Sequence, residues 1–205
     1  MRGPPPPYIL EDRTGSNTAT DFDDLYDRIF FRIARVPDRT TTMIYSMNIR
    51  GSRHRDSLPF NQQPIAILDF AQDERLGNIS YVQHPHNLTM PMHRYLRKTS
   101  LFGASLLRKF TASDGLEYKW GHRVIEGQEW SLHTLLSLTQ AVSRPECTTM
   151  DNYLIAHFDL NPPNVRSYDP SVSGNYLTIY QHSFHLTLEL VASLTIMRHI
   201  AQHNL

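Results

Sequence analysis

The chain has 205 residues, of which 40% are hydrophobic and 20% are charged. This length suits a single folded domain, and the composition excludes an intrinsically disordered chain. The 20 Lys and Arg residues balance the 20 Asp and Glu residues, so we expect no nucleic-acid partner, because nonspecific binders of nucleic acid carry excess positive charge.

The cysteine content and the first residues predict where the protein works. Cys147 is the single cysteine, so no internal disulfide can form. The start, MRGPPPPYILEDR, lacks the charged segment and apolar run of a signal peptide. These features predict an intracellular, cytoplasmic protein.

The first part of the chain has the composition of a solvated segment. Residues 1–24 contain four consecutive prolines and many small or acidic residues, which leaves little apolar surface to bury. We therefore predict a mobile, Pro-rich N-terminal arm over residues 1–24. The remaining residues, 25–205, are predicted to form one domain.

Runs rich in β-branched and aromatic residues follow the arm and predict an antiparallel meander. Residues 27–35 and 40–47 flank a Pro-Asp-Arg turn, which predicts a hairpin. A second hairpin is predicted around Asp114-Gly115, because glycine accepts the positive φ that tight turns require. Further strands are predicted at 64–70, 78–83, 129–134, 153–159 and 176–181, with a helical turn at 92–97, whereas residues 135–149 fit either a strand or a helix.

The last part of the chain predicts one long helix. Residues 184–202 lack Gly and Pro, and apolar side chains occur on almost every side at helical spacing. A membrane anchor is disfavoured because charged and histidine residues interrupt the apolar run. A helix that is apolar nearly all round must be enclosed. We therefore predict a mostly β protein, a closed antiparallel β-barrel around this helix, with Leu190, Leu194 and Met197 inside.

One string in the predicted meander is distinctive. Residues Phe110–Trp120 read Phe-Thr-Ala-Ser-Asp-Gly-Leu-Glu-Tyr-Lys-Trp, and softer patterns occur at residues 39–45 and 65–70. Together with the terminal apolar helix, these stretches resemble the fungal domain of unknown function numbered 6593, abundant in basidiomycetes. The resemblance implies the architecture of the Tubby C-terminal, LURP-one-related and phospholipid-scramblase proteins, a barrel around a central helix. It implies no established activity.

A basic cluster predicts a binding surface. Cationic side chains on both sides of a Leu-Phe tip suit anionic lipid headgroups, with the aromatic ring entering the interface. The same surface could contact a protein partner, and the alternative is a solvated loop. The residues of this predicted lipid- or partner-binding site are Arg94, Arg97, Lys98, Phe102, Arg108 and Lys109.

The histidines predict an alternative function. The chain has 11 of them, and His84 and His86 would point from the same face of a strand, a spacing that two ligands of one divalent metal can use. His93, seven residues further on, is the third candidate ligand. Histidines that serve only the core or the surface are the competing explanation, so no cofactor is predicted by the first hypothesis.

The sequence contains no recognisable catalytic motif. The nucleophile-elbow, dinucleotide-binding and Walker phosphate-loop motifs are absent, and Cys147 has no neighbouring activating pattern. The first hypothesis is therefore a noncatalytic Tubby-like module that binds a lipid surface or a protein. The alternative is an enzyme or small-molecule binder with a histidine-lined, metal-containing pocket that acts in secondary metabolism. A self-associating structural protein is a third hypothesis.

Overall fold

The computed structural model describes residues 5–50, 63–82, 87–99, 106–123, 129–135, 153–161, 168–169 and 172–205. These residues form a mostly β fold with one long C-terminal helix, as predicted. The strands are β1 (Tyr8–Asp12), β2 (Ala19–Asp24), β3 (Phe30–Arg35), β4 (Thr41–Met47), β5 (Ala66–Asp69), β6 (Asn78–Tyr81), β7 (Thr89–Pro91), β8 (Arg97–Lys98), β9 (Arg108–Thr111), β10 (Glu117–His122), β11 (Trp130–Leu135), β12 (Leu154–Asp159) and β13 (Asn175–Ile179). The helices are α1 (Met92–Tyr95), a 3-10 helix (Gln181–Leu186) and α2 (Thr187–His203).

The thirteen strands form one antiparallel sheet in the order β7-β6-β5-β4-β3-β2-β1-β13-β12-β11-β10-β9-β8. The predicted β3–β4 and β9–β10 hairpins are confirmed, and the strands predicted at 64–70 and 78–83 pair with each other as β5 and β6. In the β9–β10 turn, Gly115 has a φ of 79°, as the Asp-Gly signal predicted. Residues 135–149 were predicted as either a strand or a helix. Leu135 is the last residue of β11, and residues 136–149 lie outside the described residues.

The structure corrects the expectation of a mobile N-terminal arm. Residues up to Asp24 include β1 and β2, and β1 pairs with β2 on one side and with β13 on the other. Leu10 and Phe22 are buried in the core. Asp24, one of the acidic residues that made the segment look solvated, is itself buried and paired. Its carboxylate accepts hydrogen bonds from the Arg28 guanidinium at 2.7 and 2.9 Å.

Arg28 also fixes the prolines that precede β1. Its two terminal nitrogens donate to the carbonyl oxygens of Pro6 and Pro7 at 2.8 and 2.6 Å. The guanidinium lies 4.5 Å from the centre of the Tyr8 ring, a cation–π contact. This part of the proline run is therefore attached to the sheet.

The apolar helix α2 is buried, as its composition predicted. Leu190, Leu194 and Met197 are at most 1% exposed. The Trp120 indole on β10 donates to the Ser193 hydroxyl at 2.9 Å, which satisfies two polar groups in the core. None of the helices in the described part of the chain combines the length and apolar character that crossing a membrane would need.

The prediction of a closed barrel is wrong. The sheet ends at β7 and β8, and no strand pairing joins these two edges among the described residues. Both edge strands are short, and β7 ends with Pro91, which has no backbone N–H to donate. Between them the chain forms the helical turn α1, whose Met92 and Tyr95 side chains are buried. An open sheet therefore packs with α2 without strand closure.

Candidate functional site

Several chemically active side chains meet at the C-terminal end of α2. There, the last turn of α2, the β1–β2 turn, Arg35, Phe70 and Glu74 surround a pocket of about 330 Å³. We call it the terminal pocket. Apart from Gly15 and Phe70, its lining residues are polar or charged. The pocket is large enough for a small polar ligand.

Three side chains in the terminal pocket are of the types that bind metal ions. One ligand atom from each of Glu74, His199 and His203 lies within 4.8 Å of the others. The two histidines are four residues apart on α2 and therefore share one face of the helix. Their ring centres are 4.4 Å apart, and His203 Nε2 lies 3.9 Å from Glu74 Oε2.

His199 is the most firmly held of the three side chains. It is buried, and its ring stacks on Phe70 with 3.9 Å between centres. Its Nε2 lies 2.8 Å from the backbone oxygen of Glu74, so this nitrogen carries the proton and donates. Burial lowers the pKa of His199, against the opposing effect of that hydrogen bond. The neutral ring therefore keeps a lone pair on Nδ1.

Glu74 and Arg35 form the outer wall of the pocket. Glu74 lies in the β5–β6 turn with a φ of 60°, the left-handed region. Its Oε1 is 3.7 Å from Arg35 Nη2, and both side chains are about two-fifths exposed. Arg35 Nε donates to the Arg39 carbonyl at 3.0 Å, which orients the guanidinium. The pair is loose enough for Glu74 to exchange partners.

The inner wall is fixed by a buried ion pair. Arg198 Nη1 lies 3.0 Å from Asp12 Oδ2, and Arg198 Nη2 donates to the Gly15 carbonyl at 2.7 Å. The other Asp12 oxygen accepts hydrogen bonds from Thr20 Oγ1 and Gly15 N at 2.6 and 3.0 Å. Asp12 is fully buried. These contacts attach the β1–β2 turn to α2.

A second, smaller pocket of about 100 Å³ lies beside Glu189 on α2. Ser113 N donates to both Glu189 oxygens at 3.2 and 3.1 Å, so this carboxylate supports the β9–β10 turn. The hydroxyls of Tyr81 and Tyr95 are 2.8 Å apart, and burial raises both tyrosine pKa values. These groups have structural partners, which makes the terminal pocket the better candidate site.

The metal ligands predicted from the sequence lie elsewhere. His84 and His86 fall outside the described residues, and His93 is exposed on α1. Within the described part of the chain, His93 belongs to no group of three potential ligands. The pair His199 and His203 was not predicted, because the predicted helix ends at residue 202 and α2 continues to His203.

Only some of the residues predicted to form the basic surface are exposed and free to bind a lipid or a partner. Arg94, Arg97 and Lys98 are exposed, and Phe102 falls outside the described residues. Arg97 and Lys109 share Glu117, at 2.6 and 3.2 Å, which offsets part of their charge.

Arg108, a further member of that basic cluster, lies inside the fold. It is 2% exposed, and its Nη2 donates to the Leu205 carbonyl at 2.9 Å. Burial lowers its pKa. This side chain therefore supports the C-terminal end of the chain.

Comparisons with family models, curated proteins and solved structures return no match for this chain. The resemblance to the fungal family 6593 therefore stays a prediction. Function has to be argued from the chemistry of the site.

Proposed function

We propose that this protein binds a divalent transition-metal ion in the terminal pocket, through Glu74, His199 and His203. The observation that carries the proposal is the convergence of three ligand atoms within 4.8 Å of one another. Two imidazoles and one carboxylate form a donor set that suits Zn²⁺ and neighbouring first-row ions. The sequence-based alternative also invoked a histidine-lined pocket, but with other histidines; two of the ligands proposed here lie on α2.

The surroundings of these ligands favour a cation. His203 is the last residue of α2, where the carbonyl end of the helix carries partial negative charge. His199 donates its second ring N–H to the Glu74 carbonyl, as metal-bound histidines commonly do, because such a bond fixes the ring orientation.

The three ligand atoms, which lie within 4.8 Å of one another, must move closer together to hold an ion. Ligands about 2.1 Å from a tetrahedral ion lie about 3.4 Å apart, compared with the 3.9 Å between His203 Nε2 and Glu74 Oε2. His203 and Glu74 are partly exposed, so their side chains have room to rotate. His199 is held by Phe70 and provides the fixed ligand.

Zinc binding tests the proposal directly. The purified chain is expected to bind one equivalent of Zn²⁺ in a competition titration with a chromophoric chelator. His203→Ala should lower the affinity by at least about tenfold, because it removes one of three ligands. His93→Ala, which replaces an exposed histidine outside the pocket, is the matched control.

The metal-free melting temperature of each variant is measured first, so that a folding defect is recognised. Glu74→Gln provides a second ligand variant. Equal zinc affinity of the wild type, His203→Ala and Glu74→Gln would contradict the proposal. Loss of binding in His93→Ala alone would instead favour the site predicted from the sequence.

A second candidate function is binding to an anionic lipid surface. Arg94 and Lys98 are exposed, and neither has an acidic partner among the described residues. The wild type is expected to sediment with vesicles containing anionic lipid. Arg94→Glu/Lys98→Glu should then reduce the bound fraction more than Arg39→Glu/Arg75→Glu, which reverses two exposed charges elsewhere. Sedimentation that is independent of lipid charge would refute this function.

A further inference from the structure

We infer that a metal ion in the terminal pocket keeps a coordination position for a small oxyanion, a carboxylate or phosphate group, which Arg35 also contacts. This inference rests on the proposed metal binding. Three protein ligands leave a four-coordinate ion with one open position, the arrangement of ligand-exchanging metal sites. Here the three ligands line a pocket of about 330 Å³.

The charges in the pocket favour an anion. A divalent ion with two neutral imidazoles and one carboxylate keeps one positive charge, and Arg35 contributes a second. Glu74 is the only acidic residue lining the pocket in the described part of the chain. Opposite charges attract strongly where water is partly excluded.

Arg35 is positioned to contact such a ligand. Its Nη2 is 3.7 Å from Glu74 Oε1, longer than a good hydrogen bond. When Glu74 turns toward the metal, the terminal nitrogens of Arg35 can face a different oxygen ligand. Because the Arg39 carbonyl holds Arg35 Nε, the guanidinium keeps its place at the pocket. Planar guanidinium groups bind carboxylates and phosphates with two parallel hydrogen bonds.

Thr42 supplies an independent indication of a ligand. It lines the terminal pocket, is fully buried, and is the direct cross-strand neighbour of Arg35. Its hydroxyl has no hydrogen-bond partner in the part of the chain that the structure describes. An unpartnered buried hydroxyl is costly, and an oxyanion in the pocket would provide an acceptor for it.

Cobalt substitution tests the inference and separates it from the proposed metal binding. The full chain is loaded with Co²⁺, whose visible absorption reports its ligands, and is titrated with acetate, inorganic phosphate or acetamide at constant ionic strength. We expect a saturable spectral shift with at least one anion and none with the uncharged acetamide. The anion that binds more tightly identifies the carboxylate or the phosphate class.

Variants then test whether Arg35 and Thr42 contact the bound anion. Arg35→Gln and Thr42→Val should each weaken anion binding by about tenfold, with Co²⁺ still bound. Arg94→Gln, at an exposed arginine that does not line the terminal pocket, should leave anion affinity unchanged.

Two outcomes count against the proposals in different ways. Absence of any Co²⁺ spectrum overturns the metal site and the oxyanion site together. A normal Co²⁺ spectrum that responds to neither anion, or responds equally to acetamide, overturns the oxyanion site alone.

Discussion

A chain that starts at Thr14 is expected to lose cooperative unfolding, because it lacks β1. This strand lies between β2 and β13, and removing it separates the sheet into two parts whose backbone groups lose their hydrogen-bond partners. The deletion also removes Leu10, which is fully buried. We expect a loss comparable to the whole stability of a domain, about 5–15 kcal/mol.

Circular dichroism during heating measures this effect. Deletion of residues 1–4 is the matched control and should melt close to the full chain. This expectation reverses the sequence-based one, in which residues 1–24 formed a mobile arm outside the domain. A cooperative transition of the shortened chain within a few degrees of the control would show that β1 is peripheral.

Replacing Arg198 with Met is the second change with a large expected effect. The Arg198 side chain is 9% exposed and the Asp12 side chain 0%, so the substitution leaves a buried carboxylate without its cation. Removing one partner of such a pair costs about 3–5 kcal/mol. The substitution also removes the contact of the guanidinium with the Phe158 ring, at 4.8 Å.

Urea unfolding at neutral pH gives the free-energy difference between the wild type and Arg198→Met. The double variant Asp12→Asn/Arg198→Met should recover part of the loss, because it removes the unpaired charge. A loss below about 1 kcal/mol in the single variant would mean that water reaches Asp12 and the pair contributes little.

Local signals predicted much of the fold correctly. The β9–β10 hairpin depended on Asp114-Gly115, and α2 depended on a long apolar run without helix breakers. Both features are contained within a few neighbouring residues. Closure of the sheet depends on how two distant edges meet, which a local pattern does not encode.

The N-terminal strands were misread for a related reason. Asp12 and Asp24 are typical of a solvated segment, yet both are buried. The cation that pairs with Asp12 is Arg198, 186 positions away. Sequence reasoning about charge considers neighbours along the chain, whereas the burial of Asp12 depends on a partner brought close by the tertiary fold.

The candidate site likewise combines residues that a local sequence pattern reveals with residues that only the tertiary fold brings together. His199 lies within the predicted helix, and His203 follows one residue after its predicted end. Glu74 and Arg35 join them only because the β5–β6 turn and the end of β3 meet the last turn of α2. No linear motif connects these elements.

The pairing of β1 with β13 affects how this chain can fold during translation. β1 leaves the ribosome early, but its neighbour β13 and the helix that fills the core follow all the other strands. Until α2 emerges, the apolar face of the nascent sheet has nothing to cover it. Contacts between such distant segments slow folding and leave exposed apolar strands prone to aggregation, so the growing chain is expected to need chaperone protection until α2 has emerged.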